Sequence, residues 1–309
     1  MQSTVLSKRR GWCGNTSLWR FFVEIKDPFV TIMSAKLKQI LSSVLPKKEL
    51  ERVIGSYDVV GDIAIVIIPE ELVYRQRLIG EALLTCKKNV RVVAKRVGNY
   101  TGEFRTIELE VIAGEQRKET EVTEFGVRFL VDVEKTYFSV RSGNERRRIA
   151  SLVQPLESVL VMFSGVGPYP LLIAKHSAAK NVIGVEKNPL AHGYAVKNLH
   201  LNKKIKNVQF HLGDAADLPA LLTERFSRIV MPLPTMAETF LPAAIEMLGV
   251  EKGWIHYYEM AHVGCFDRAV SKVQKACDTM GKKRGATTIT RCGHCGPKTH
   301  RICVDAQIF

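Results

Sequence analysis

Two stretches constrain this chain most. Val159-Leu-Val-Met-Phe-Ser-Gly-Val-Gly-Pro168 reads as a buried strand, a glycine-rich turn and a helix start, and Val182-Ile-Gly-Val-Glu-Lys-Asn-Pro189 reads as a second strand ending in an acid. Short unbroken apolar runs of this kind suit parallel strands covered on both faces. The glycines let the backbone approach a ligand closely, and an acid at the end of the second strand can bind ribose hydroxyls. Two features argue against a dinucleotide. The turn is Gly-Val-Gly-Pro rather than GxGxxG, and Pro168 keeps the helix N-terminus from offering a full set of N–H groups to a pyrophosphate. S-adenosylmethionine carries no phosphate and suits the turn better.

The rest of the chain supplies a frame for that unit. Strands are expected at Ser158–Phe163, Asn181–Val185, Val208–Leu212, Ser227–Met231 and Gly253–Met260, with helices between them, which is the alternation of a parallel α/β sheet. A helix over Phe266–Met280 and strands over Gly285–Cys292 and His300–Gln307 would add an antiparallel edge. Upstream, helices are expected over Lys36–Leu45, ended by Pro46, and over Glu70–Cys86. Strands are expected within Tyr57–Ile68 and over Asn89–Lys95, Thr106–Ala113, Thr120–Phe125 and Val127–Val133. The resulting division is a basic leader at 1–33, a small α+β domain at 34–135 and the cofactor-binding α/β domain at 136–309.

Charge narrows the partner. With 45 Lys+Arg against 31 Asp+Glu, the formal net charge is +14, which favours a polyanion such as RNA. No apolar run reaches the roughly 18–20 residues that span a bilayer, so no membrane segment is expected. Seven cysteines without framework spacing suit reduced thiols in the cytoplasm. Cys292-Gly-His-Cys295, with His300 and Cys303 nearby, has no second Cys-x-x-Cys pair, so no metal is expected there. Met1 to Val23 has four basic residues, several serines and no acid. That composition suits an organelle-targeting segment, but a basic leader is the simpler reading because Met33-Ser-Ala-Lys-Leu-Lys opens a clean helix.

Ligands of open α/β sheets bind at the carboxyl ends of the strands. Those ends carry Phe163, Gly165 and Gly167, then Glu186 and Asn188, then Asp214, then Met231, and these form the candidate cofactor set. Glu186 suits ribose hydroxyls and Asp214 the exocyclic amine of adenine. Either acid alone could be a solvated loop carboxylate. Met231-Pro-Leu-Pro234 could form a rigid wall of carbonyls facing a substrate amine, or only a strand-ending turn.

These blocks, together with Tyr57-Asp-Val-Val-Gly-Asp-Ile-Ala64, Gly102-Glu-Phe-Arg105, Phe129-Leu-Val-Asp-Val-Glu-Lys-Thr-Tyr-Phe-Ser139, Gly143-Asn-Glu-Arg-Arg-Arg-Ile149 and Asn198-Leu-His-Leu-Asn202, resemble the tRNA guanosine-37 N1-methyltransferase family of archaea and eukaryotes. The resemblance runs through most of residues 55–309. It implies a class I methyltransferase (Rossmann-like) parallel sheet with an antiparallel edge, S-adenosylmethionine as cofactor, tRNA as partner and a monomeric enzyme. It further implies that Arg105 donates to guanine O6, that Tyr137 stacks on the flipped base, that Pro232 and Pro234 wall the base, and that Glu145 removes the N1 proton. Glu145 opens a helix, where the dipole favours an ionised acid, so it could equally be an N-terminal acid paired with Arg146 to Arg148. Two positions depart from the family pattern. Val161 stands where an acid is usual and would help order the cofactor loop, and Pro232 stands where many members have Asn. The N-terminal region is too short for the further tRNA-elbow-reading domain of some members. Lys203, Lys204, Lys206, Lys282, Lys283 and Arg284 are candidate phosphate contacts or a solvated face. Two other functions remain open: aminocarboxypropyl transfer to a modified guanosine, as in related wybutosine enzymes, and RNA binding by a degenerate paralogue.

Overall fold

The computed structural model describes residues 37–249 and 251–309, and the basic leader expected over 1–33 lies outside them. Residues 37–41 are helical, and Pro46 ends that segment before helix α1 (Lys47–Arg52) begins. A four-stranded sheet follows, with β1 (Asp58–Val60), β2 (Ile63–Val66), β3 (Val92–Thr101) and β4 (Thr106–Gly114) side by side in chain order. Only β2 and β3 pair in parallel, because helix α2 (Gln76–Cys86) carries the chain between them. Ile79 and Leu83 of α2 pack with Ala64, Val66 and Val93 of the sheet and with Leu37 and Leu41. Gly80 lets the helix lie close, since a Cβ there would fall 2.7 Å from Ala113 Cβ.

Two elements of this layer differ from expectation. The helix expected from Glu70 winds as a 3-10 turn over Glu70–Arg75 and becomes α-helical only at Gln76. Strand β3 runs past Lys95 to Thr101. Its far half projects beyond the core as an exposed ribbon and carries no apolar alternation, and Gly98 (φ 83°) marks a break in register between Val97 and Thr101.

The hairpin β5 (Glu119–Glu124) and β6 (Val127–Asp132) is held from both sides. Val127, Phe129 and Val131 enter one core with Ile149 of helix α3 (Gly143–Leu152) and Leu171 and Leu172 of α4 (Pro168–His176). On the other side Thr120 Oγ1 accepts from the Asp62 N–H at 3.2 Å and bonds the Asp62 carboxylate at 2.7 Å.

The seven-stranded sheet has the order β9-β8-β7-β10-β11-β13-β12. Strands β7 (Ser158–Met162), β8 (Asn181–Glu186), β9 (Val208–Leu212), β10 (Arg228–Met231) and β11 (Gly253–His262) are parallel. Strand β13 (Thr299–Ile308) enters between β11 and β12 (Arg284–Gly296), antiparallel to both. Helices α4 and α5 (Pro189–Leu201) lie against one face. Helices α6 (Leu218–Leu221), α7 (Leu241–Glu246) and α8 (Asp267–Thr279) lie against the other, so each face has its own apolar core. Strand order reverses between β7 and β10, and that switch point opens a crevice above the strand ends.

Candidate active site

The cofactor side is built from two turns. After β7, Phe163 (φ 56°), Gly165 (φ 56°) and Gly167 (φ 89°) all take positive φ, which only the glycines adopt without strain. Gly167 also leaves no room for a side chain, since a Cβ would lie 2.7 Å from Phe210 Cζ. The Phe163 ring meets Phe240 edge-on at 5.0 Å. After β8, Glu186 accepts from the Gly165 N–H at 2.7 Å through Oε2 and from the Asn188 N–H at 2.8 Å through Oε1. One carboxylate thus holds both turns, and burial pushes its pKa up against those backbone N–H bonds. Asn188 is spent on structure: its side-chain oxygen caps α5, accepting from Leu190 N–H at 2.9 Å and Ala191 N–H at 3.4 Å.

Asp214 is likewise engaged. It caps the turn after β9, accepting from Ala216 N–H at 2.9 Å, and pairs with Lys187 at 2.7 Å. The backbone N–H of Ala216 first, and then Lys187, hold this carboxyl below the usual range. Lys187 also reaches Glu103 at 2.5 Å, so the turn between β3 and β4 is tied to the cofactor side. Met231 is fully buried at the end of β10. An S-adenosylmethionine molecule fits this set: a loop with left-handed glycines, a buried acid at the second strand end, and the buried Ser164 hydroxyl without a partner beside the loop.

The same β3–β4 turn delivers the base side. Arg105 (φ 51°) donates from Nη1 to Thr235 Oγ1 at 3.0 Å, and its guanidinium sits 5.7 Å from the Tyr137 ring centroid. Tyr137 is 41% exposed, and its carbonyl lies against Gly165, 3.8 Å from where a Cβ would stand. Arg105, Tyr137, the Met231–Thr235 turn and the glycine loop therefore gather at one place, although they come from both lobes. The proline wall is only half available, because the Pro234 carbonyl accepts from Met260 N–H at 3.1 Å.

Glu145 begins α3 and is 5% exposed. Arg148 grips both its oxygens at 2.8 Å, and the Tyr258 hydroxyl donates to Oε1 at 2.5 Å. Arg148 turns its other edge to Asp305 at 2.8 Å. Asp305 takes the His256 Nδ1–H at 2.5 Å, and His256 Nε2 accepts from Arg228 at 2.7 Å, in the tautomer that this network requires. Burial lowers the His256 pKa and keeps the ring neutral. The pairing with an arginine of its own helix, weighed above, is therefore present, at the i+3 position.

A family model described as the TRM5/TYW2 methyltransferase domain matches residues 120–284, and one described as the TYW2 N-terminal domain matches residues 37–117. The chain belongs to the TRM5/TYW2 family. The tRNA (guanine(37)-N(1))-methyltransferase Trm5b of Pyrococcus abyssi is 36% identical over 263 residues, covering 84% of this chain and 77% of the relative. A tRNA(Phe) (4-demethylwyosine(37)-C(7)) aminocarboxypropyltransferase of Methanocaldococcus jannaschii is 32% identical over 210 residues, covering 67% of this chain and 82% of the relative. The crystal structure of the Pyrococcus abyssi Trm5b superposes with a TM-score of 0.77 at 36% identity, over 86% of this chain and 78% of that one. A complex of aTrm5 with tRNALeu gives 0.77 at 32% identity, over 88% and 78%.

Within this TRM5/TYW2 chain the departure at Val161 has a local reason. Val161 is fully buried in β7 among apolar residues, and Glu186 does the work of ordering the glycine loop. Sequence reasoning missed Thr235, Lys187, Tyr258 and Asp305. All act through tertiary pairing, which no local pattern marks. The suggested phosphate contacts prove to be misplaced for the crest. Lys203, Lys204 and Lys206 precede β9. Lys282 and Lys283 precede β12, whose first residue pairs with Ile308 opposite Gly253, the start of β11. Both groups lie at the amino ends of the strands, on the edge facing away from the site. Cys292 donates its thiol to the Arg301 carbonyl at 3.3 Å. Among the described residues, the convergent group is instead His256, Cys303 and Asp305, and the guanidiniums of Arg148 and Arg228 beside it oppose a cation.

Proposed function

We propose that this chain is an S-adenosylmethionine-dependent tRNA methyltransferase that acts on N1 of guanosine 37, beside the anticodon. One observation carries the reading: the Arg105–Thr235 hydrogen bond closes a base-reading turn of the small lobe onto the strand ends that carry the glycine loop. Bound S-adenosylmethionine supplies an electrophilic methyl group on a sulfonium. The chain's own tasks are then to extrude the base, hold it and receive its proton. Extrusion costs a few kcal/mol. Arg105 offers a forked donor to the O6 edge, and Tyr137 offers an exposed ring for stacking.

Glu145 is the group proposed to receive the N1 proton. A carboxylate has about four acceptor sites. Arg148 and Tyr258 occupy three, so one site on Oε2 is left for the N–H of the base. Preorganised acceptors of this kind lower the barrier by positioning.

The test is incubation of the full chain with an unmodified tRNA transcript and labelled cofactor, followed by nucleoside mapping. A methyl group on N1 of guanosine 37 is expected, and label elsewhere or none refutes the reading. Aminocarboxypropyl transfer is the second reading, supported by the TYW2 N-terminal match over residues 37–117. The mass of the product separates the two. We further propose that the enzyme works as a monomer in the cytoplasm. Among the described residues no helix is long and apolar enough to cross a membrane.

A further inference from the structure

Beside the target site lies a second cavity, of about 300 Å³, which shares Tyr137 with it. Arg105, Glu145, Gly165, Pro232 and Pro234 do not line it. It opens instead between the four-stranded sheet and the chain from Val133 to Arg141, and Val60, Ile65 and Val133 make it apolar on one side. A space of this size is within the range of small-molecule pockets.

The charges in the cavity do not balance. Two guanidiniums face one carboxylate: Arg141 Nε donates to Asp58 Oδ1 at 2.7 Å, and Arg96 Nη2 reaches Asp58 Oδ2 at 3.5 Å. Arg96 Nε is buried with no partner, so a donor is left over for an anion. The Arg96 guanidinium also sits 5.3 Å from the Tyr100 ring centroid, and Tyr100 meets Tyr137 edge-on at 5.6 Å. Spare positive charge, an aromatic pair and an apolar side together match a flat heteroaromatic ring joined to a phosphate. A simple carboxylic acid would leave the aromatic pair unused, and an apolar ligand would leave the donor unused.

We propose that this cavity seats the nucleotide adjoining the target in the substrate strand, with its base against Tyr100 and its phosphate on Arg96 and Arg141. The inference rests on the functional reading above. Tyr137 forms a wall of both compartments, so a strand with its target base at Arg105 brings its neighbour here. The substrate is thus read as two consecutive nucleotides, and the second fixes the backbone from which the first is turned out.

The experiment compares intact tRNA transcripts with transcripts abasic at the position immediately 5′ or immediately 3′ of the target. Affinity is measured by fluorescence anisotropy, and kcat/KM by methyl incorporation. With the wild-type chain, one of the two abasic transcripts should lose about tenfold, the share of one stacked base. In Tyr100→Ala the same abasic change should cost nothing further. Tyr100 is 37% exposed on the projecting ribbon, so this change spares the core. A second variant, Arg96→Gln, should bind the intact transcript more weakly and with a salt dependence reduced by about one phosphate contact. Equal affinity of the wild-type chain for all three transcripts overturns the proposal. So does inhibition by adenosine monophosphate that Tyr100→Ala relieves while the abasic transcripts bind normally, which would mark a free-nucleotide site. If the intact transcript is bound but not methylated, the proposed function fails, and the affinity comparison still decides the cavity.

Discussion

Glu145 shows how much of a reactive group's setting comes from other residues. Its carboxylate is buried, doubly gripped by Arg148 and touched by Tyr258, whose hydroxyl in turn accepts from Tyr169 at 3.2 Å. Replacing Glu145 by Gln keeps the shape and removes the proton acceptor. Turnover should fall by roughly 100-fold or more, the usual share of a general base. Cofactor and tRNA affinity should stay within about twofold, because the base keeps its Arg105 and Tyr137 contacts and the cofactor turns are unchanged. Calorimetry and single-turnover rates check both halves, and full activity rejects Glu145 as the base. Asp305, at the far end of the same network, sets an acid limit. Burial by itself would raise its carboxyl, but the His256 N–H and Arg148 together hold it well below the usual carboxylate range. A depressed carboxyl stabilises the fold at pH above its unfolded value of about 3.9, and that contribution is lost as pH falls below it. The urea midpoint should therefore be steady near neutrality and drop below about pH 4. In Asp305→Asn it should be lower at neutral pH and drop less in acid. An unchanged acid slope in that variant would assign the acid sensitivity to other groups.

At the scale of elements, the Asn198-Leu-His-Leu-Asn202 segment has a geometric explanation. Four residues of helix rise about 6 Å, and two residues of strand span about 6.7 Å. Two asparagines four residues apart, Asn198 in α5 and Asn202 at its C-cap, can therefore pair with alternate residues of an adjacent strand. Asn202 bonds the Arg128 N–H at 3.0 Å and its carbonyl at 2.7 Å, and Asn198 does the same to Leu130 at 2.7 and 3.1 Å. The side-chain amides thus finish the edge of β6 as a neighbouring strand would. Asn198 also donates to the Val166 carbonyl at 2.9 Å, which pins the glycine loop. It is fully buried. Asn198→Ala should cost about 1–3 kcal/mol in urea denaturation, from the buried backbone groups it leaves unpaired. It should also weaken S-adenosylmethionine binding more than Asn202→Ala does. Equal cofactor affinity in the two variants would limit Asn198 to a role in stability.

For the molecule as a whole, charge is placed differently from what its sum suggests. The net charge of +14 points to RNA, yet the clusters at Lys203–Lys206 and Lys282–Lys283 sit at the amino ends of the strands. A five-residue strand is about 17 Å long, twice the screening length of about 8 Å at physiological salt. Changing Lys203, Lys204 and Lys206 together to Gln should leave the KM for tRNA within about twofold at that salt. Arg105→Ala should instead weaken the preference for guanosine over inosine or adenosine at the target. Competition assays with transcripts altered at that position decide the second point, and an unchanged preference removes Arg105 from base reading.

The parallel sheet and its strand-end residues were legible because β7 and β8 are apolar runs, closed by a glycine turn and by an acid, a pattern that burial on two faces imposes. The projecting half of β3 was not, since a solvated ribbon needs no apolar alternation. Nor were Thr235 and Lys187, whose partners lie 130 and 84 residues away along the chain.

Among the described residues, the turn from Gly102 to Arg105 meets the large lobe through side-chain tips: the Glu103–Lys187 pair, the Arg105–Thr235 bond and the Arg105 guanidinium over Tyr137. Nothing in the great sheet's hydrogen-bond ladders depends on it. Exchanging those four amino acids would therefore leave the sheet intact, and its one effect on the donor side would pass through Lys187, which would keep Asp214 as its sole carboxylate partner.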